Sequence, residues 1–302
     1  MTQIWSLEFN IFVMMAVGFL TRQIGIVSKT GEKNLTDLVL LVILPCSIFI
    51  SFLNENALDS TGDMLAVVLI SVGIQALSLL YGKFAFPRAS EDQRRSLAYG
   101  MICSNAGFLG SPVAEEVFGP VGLMLASLYL IPQRIMMWSE GLAIYSGVSD
   151  QKATVKKVLT HPCVAACILG LIVMLTRAEI PALLLSPVQI IAQCNTPLSM
   201  MVIGMILSEI DLKTLVNKTI VRFTVHRLVL MPLIVYGACL ILGVSKMVTG
   251  VSTLLAAMPA GATTSILAAK YERDSQFAIK MVIFTTLCSI PAILIWSMIL
   301  TA

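Results

Sequence analysis

Predominantly apolar runs of about 18 to 25 residues, the length a membrane-crossing helix needs, recur along the whole chain between short polar stretches. Ten spans can be drawn: Ile4–Gln23, Leu35–Leu53, Met64–Phe84, Arg94–Phe118, Val121–Tyr145, Pro162–Leu175, Pro187–Ser208, Thr219–Leu242, Val248–Lys270 and Phe277–Leu300. Two of them contain what a helix in hydrocarbon avoids. The fourth carries Cys103-Ser104-Asn105-Ala106-Gly107-Phe108-Leu109-Gly110-Ser111-Pro112 followed by Glu115 and Glu116, and the ninth carries Met258-Pro259-Ala260-Gly261-Ala262-Thr263-Thr264-Ser265. An unpaired backbone group in lipid costs on the order of several kcal/mol, so such a break survives only under protein or beside a watery cavity. A pair of interrupted spans in corresponding places is the pattern of a transporter's binding site.

The halves repeat in order. Pro45 recurs as Pro197, and Ala106-Gly107 recurs as Ala260-Gly261. Five spans per half is an odd number, so the second set enters the membrane from the opposite side. The expected fold is therefore an all-α polytopic membrane protein of ten transmembrane helices in two inverted five-helix repeats, with broken spans four and nine. Residues 1–147 form the first repeat, 148–160 a short cytoplasmic linker and 161–302 the second repeat.

Composition sharpens this picture. The 302 residues are 57% hydrophobic and 12% charged, about half the charged share of a soluble domain, which excludes an ordinary soluble enzyme. Of the 20 basic residues, all but Arg134, Arg177 and Lys246 fall in or beside the loops after odd-numbered spans. Glu55, Asp59 and Asp63 make the first opposite loop acidic. The basic side is cytoplasmic by the positive-inside rule, which places both termini outside the cell membrane. The net charge of +3 is thus topological and implies no nucleic acid. The N-terminus lacks a basic stretch before its first apolar run, so no cleavable signal peptide is expected.

Seven scattered cysteines fit neither a disulfide framework nor a zinc site, and His161 and His226 lack metal or catalytic partners. No nucleotide loop or nucleophile–base pair appears, so neither an enzyme nor an ATP-driven pump is expected, and no cofactor or metal.

The breaks supply the candidate chemistry. Ser111 is placed to cap one half-helix with Pro112 at its first position, and Thr263 or Thr264 to cap the other. Two half-helix N-termini then present free N–H groups and about half a positive charge each, which suits a carboxylate. Gly107 and Pro259 shape the two breaks. Asn105, Gln133 and Ser47, near the middle of spans four, five and two, can donate to an anion, although Ser47 can equally bond back to its own helix. Arg134 is a mid-membrane charge costing roughly 3 kcal/mol, so it should face protein and pair with Glu116 or Glu115. That pair is either a coupling element or a structural lock; alternatively the two glutamates are solvated at the outer surface.

These motifs resemble the auxin efflux carrier family in its prokaryotic branch. The resemblance rests on Leu44-Pro45, on Asn105 through Pro112 with Phe118-Gly119, on Thr196-Pro197-Leu198-Ser199-Met200 through Gly204, and on Met258-Pro259-Ala260 through Lys270-Tyr271. It implies a fold similar to the bile-acid sodium symporters. Spans 1, 2, 6 and 7 would form a scaffold, often dimeric, and spans 3–5 and 8–10 a mobile transport domain with an elevator motion. The carboxylate site of plant members maps onto Ser47, Asn105 and Gln133. The function implied is gradient-driven carriage of a small organic anion such as malate, malonate or an auxin-like acid, with proton or sodium coupling left open. The alternatives are a sodium-coupled symporter of bile-acid carrier type, with Asn105, Ser111, Thr263 and Thr264 as oxygen ligands, or a transport-dead membrane sensor.

Overall fold

A computed structural model describes residues 2–53, 61–147, 151–208 and 216–301. The loop residues Glu55, Asp59 and Lys213 lie outside them. The described residues are predominantly helical: α1 (Thr2–Gln23), α2 (Lys29–Leu38), α3 (Leu44–Phe52), α4 (Thr61–Phe84), α5 (Glu91–Ile102), α6 (Ser111–Trp138), α7 (Glu140–Ser146), α8 (Gln151–Leu159), α9 (Pro162–Thr176), α10 (Ala182–Gln193), α11 (Asn195–Leu207), α12 (Lys218–Val225), α13 (Met231–Leu242), α14 (Lys246–Ala256), α15 (Thr263–Lys270) and α16 (Ser275–Thr301). Six described stretches are long and apolar enough to cross a membrane: Lys29–Phe52, Gly62–Phe84, Ala106–Ser146, Ala182–Leu207, Lys218–Leu242 and Ser275–Thr301. The molecule is a multi-pass helical membrane protein.

Polar side chains mark where helices begin. Ser28, Ser90, Asn217 and Ser245 each accept from an amide in the first turn that follows, satisfying donors that the helix itself leaves free.

Proline shapes the interiors. Short π-turns at Val39–Ile43, Ala106–Gly110 and His226–Leu230 each end two residues before a proline, at Pro45, Pro112 and Pro232. Proline has no N–H to return to the fourth residue back, so the ladder slips by one. Leu44 N–H accordingly bonds Val39 O, and Met231 N–H bonds His226 O. The carbonyl that Pro232 cannot serve, Leu228 O, accepts instead from Trp296 Nε1 at 3.0 Å.

The stretch Ala106–Ser146 has 41 residues. Straight, it would run about 60 Å, twice the roughly 30 Å hydrocarbon thickness. It bends at Gly119, whose φ of 70° and ψ of −166° suit only glycine. The expected boundary between spans four and five falls at this kink.

The chain divides into two compact units. Unit 1 comprises Met1–Gly62, Phe108–Ser127 and Thr160–Ile210, and unit 2 comprises Asp63–Gly107, Leu128–Leu159 and Asp211–Ala302. In unit 1, α1 lies directly on α11: a Cβ on Gly18 would sit 1.9 Å from Met201 O, and one on Gly204 1.9 Å from Met15 O. Glycine alone permits that reciprocal backbone approach, as small residues do between membrane helices. In unit 2, Leu97, Met101, Phe223, Met231, Phe277 and Met281 form one core cluster, and Tyr99, Cys103, Tyr145 and Leu267 anchor another.

Candidate functional site

Within unit 2 the two interrupted segments meet. α5 stops at Ile102 and Cys103 is extended, while α14 stops at Ala256 and the chain stays non-helical to Ala262. Ser104 and Ala260 form an antiparallel bridge: Asn105 N–H donates to Pro259 O and Gly261 N–H to Cys103 O, each at 2.8 Å. The broken backbones thus satisfy one another, as hydrocarbon surroundings demand. Gly261 is required at this approach, since an added Cβ would lie 2.9 Å from Cys103 Sγ and 3.2 Å from Cys103 O.

Side chains from neighbouring helices brace each strand of the bridge. Gln133 holds Ser104 twice, its Oε1 accepting from Ser104 Oγ at 3.0 Å and its Nε2 donating to Ser104 O at 2.9 Å. On the other strand, Ala260 N–H donates to Thr285 Oγ1 at 3.4 Å. Gln133, expected to meet an anion, therefore has both ends of its amide engaged with the break itself.

Arg227 is among the basic residues expected in or beside the loops after odd-numbered spans. It is instead 3% exposed, and donates from Nε to Met258 O at 2.9 Å and from Nη1 to Met101 O at 3.1 Å. Met101 lies in the last turn of α5 and Met258 two residues past the end of α14, so both carbonyls sit at or just beyond a helix C-terminus, where partial negative charge accumulates. A permanently charged guanidinium neutralises both ends with one side chain. The helical starts at Ala106 and Thr263, beside the same bridge, are ends of the opposite, positive polarity. A helical-face count would have found this residue: Ile220, Phe223, Arg227 and Met231 lie on one buried face of consecutive turns.

Two capping expectations are corrected. Ser111 does not open a half-helix, because the π-turn carries helical structure back to Ala106. Thr263 and Thr264 lie inside α15, whose cap position is Ala262 with no side-chain capping bond. Thr263 Oγ1 lies 3.4 Å from Cys103 Sγ, while Thr264 is buried with its hydroxyl oxygen unpartnered. Asn105 is half-buried at the bridge, and Gly107 lies close to Arg134, whose Nη2 would be 3.8 Å from an added Cβ.

The remaining predicted residues, Ser47, Ser111, Pro112, Glu115 and Glu116, belong to unit 1. Ser47 Oγ does not bond back to its helix; it donates to Glu115 Oε1 at 2.9 Å, and Asn195 Nδ2 donates to Glu115 Oε2 at 2.7 Å. The Glu115 carboxylate is thus held by two neutral groups of its own unit. Asn195 stands one residue before the Thr196-Pro197 motif, and with no charge or spacing rule to flag it, sequence reasoning passed it over. Among the described residues no cluster of His, Cys, Asp or Glu could hold a metal ion.

Comparison with known proteins completes the picture. Residues 7–297 match the family model described as membrane transport protein. An uncharacterized transporter of Methanocaldococcus jannaschii is 24% identical over 299 residues, covering 96% of each chain. Another, from Methanothermobacter thermautotrophicus, is 26% identical over 304 residues with the same coverage of both.

Proposed function

The chain belongs to the membrane transport protein family, the auxin efflux carrier family that its motifs resemble, and from that premise we propose that it carries a small organic anion across the cell membrane. The substrate binds where the two interrupted helices meet, and Asn105 with the helix starts at Ala106 and Thr263 holds its carboxylate. The ten spans are two inverted repeats with both termini outside. Spans 1, 2, 6 and 7 form a scaffold that pairs as a homodimer, and spans 3–5 and 8–10 move past it as an elevator, driven by gradients.

One observation carries this reading: the charge balance at the bridge between Ser104 and Ala260. Four helix ends converge there, and the two negative ones are offset by Arg227. What remains is the pull of two positive helix ends, to which the Arg134 guanidinium beside Gly107 adds, and an anion is the ligand such a site prefers. Arg227 spends its donors on backbone rather than on the ligand.

Uptake of labelled malate, malonate and indole-3-acetate into proteoliposomes, with and without an imposed pH gradient, tests the proposal. Saturable uptake of one acid, abolished by Asn105→Ala in protein that still purifies folded, is the expected result. Unchanged uptake in that variant removes Asn105 from the site. Acid binding with no counterflow would identify a sensor built on a carrier fold.

A further inference from the structure

We propose that the cavity around Glu115 in unit 1 binds a monovalent cation. The cavity has a volume of about 350 Å³ and its polar lining comes from Ser47, Ser51, Glu115, Gln189 and Gln193. Every one of these residues belongs to unit 1, so the site shares none with the bridge.

Hydrogen bonding around the cavity uses up donors and leaves acceptors. Ser47 spends its proton on Glu115 Oε1, and Ser51 spends its own on Ile48 O at 2.6 Å. Asn195 turns its amide nitrogen to Glu115 Oε2, which leaves Oδ1 of this fully buried side chain without a partner. Rotating the amide would set two acceptors against each other, so the carboxylate fixes its orientation. The Gln193 carbonyl gains nothing from the residue four positions on, because that residue is Pro197. Gln193 is also the last residue of α10, where helical carbonyls carry partial negative charge. The cavity thus gathers one carboxylate, two hydroxyl oxygens and the amide side chains of Gln189 and Gln193, a set of hard oxygens suited to a hard cation. A single carboxylate balances a single positive charge, so the ligand is monovalent. The other titratable groups of unit 1 on the elements packed around the cavity are Glu116 on α6, Cys46 on α3, Cys163 and Cys167 on α9, and Cys194 between α10 and α11.

The test is the thermal unfolding midpoint of the purified full chain in sodium, potassium or choline chloride at equal ionic strength, repeated over a pH series. No organic anion is present, so a failure to find a transported acid leaves this result untouched, and a flat cation response says nothing against the bridge site. Sodium or potassium should raise the midpoint saturably above choline. Glu115→Gln should lose that rise and Glu116→Gln should keep it. If all salts act alike but the midpoint follows pH in the unmodified protein and not in Glu115→Gln, the cation is the proton. Should Glu115→Gln fail to fold, Asn195→Ala serves instead: it keeps the carboxylate and should need several-fold more cation for half-saturation. The proposal is overturned if the unmodified protein responds to neither salt nor pH, or if Glu115→Gln and Asn195→Ala respond as it does.

Discussion

Arg227 holds the carbonyl of Met258 through Nε at 2.9 Å while its Nη1 reaches Met101 O at 3.1 Å. One side chain of span eight therefore ties off the ends of both interrupted helices. Such a buried charge is stable only while its carbonyl partners stay in place.

Replacing Arg227 by Ala strands two buried carbonyls, at about 1–3 kcal/mol each. The unfolding midpoint in detergent should fall sharply. Arg227→Lys keeps the charge but lacks the fork that spans both carbonyls, so it should recover part of that loss. Equal stability of all three proteins would show that the tie has no structural weight.

Gln133→Leu keeps most of the side-chain volume and removes both bonds to Ser104. We expect a loss of about 1–3 kcal/mol, because Ser104 O then stays buried without this partner. Gln133→Glu can still accept from Ser104 Oγ but, when ionised, repels the carbonyl, and should be less stable than Gln133→Leu at neutral pH. Midpoints measured side by side decide the order.

Gly204→Val should prevent unit 1 from closing, because even a Cβ there meets backbone oxygen at 1.9 Å. Gly237→Ala provides the control: it lies within α13 with nothing within 4 Å of an added Cβ. It should be neutral or slightly stabilising, by about 0.5–1 kcal/mol. Size-exclusion profiles of the two variants make the comparison.

Glu91, at the exposed start of α5, has its carboxyl held below the usual range by a hydrogen bond from Arg95 and by that residue's charge. A depressed folded-state value means that the stabilisation is present above the unfolded-state value and lost as pH falls through the folded one. Glu91→Gln should therefore lower the midpoint slightly at neutral pH and match the unmodified protein in acid. A constant gap across the pH series would exclude this cause.

Much of the architecture was legible because membrane helices obey few rules. Apolar run length marked the helical stretches, and the Phe118-Gly119 boundary coincides with the kink that glycine permits. Asn105, Pro259 and Gly261 were visible as residues that interrupt a span, and they lie on the observed bridge. Arg227 was not legible, because beside Arg222 and His226 it resembled an interfacial basic cluster. Only the period of the buried face separates it from Arg222. The expected caps at Ser111, Thr263 and Thr264 failed for another reason. Capping rules describe an α-helix that begins cleanly, whereas here a π-turn extends one helix backwards and Ala262 begins the other. Ser47 and Asn195 meet through Glu115 from distant parts of the chain, and no local pattern records that encounter.

The slipped turns ahead of Pro45, Pro112 and Pro232 also bear on ancestry. A π-turn is an α-helix carrying one surplus residue, and the proline two positions on is what makes that surplus tolerable. A relative that has lost the proline has no use for the extra residue. Single-residue gaps in an alignment should therefore collect at 39–43, 106–110 and 226–230, inside membrane helices, where gaps are ordinarily taken for errors.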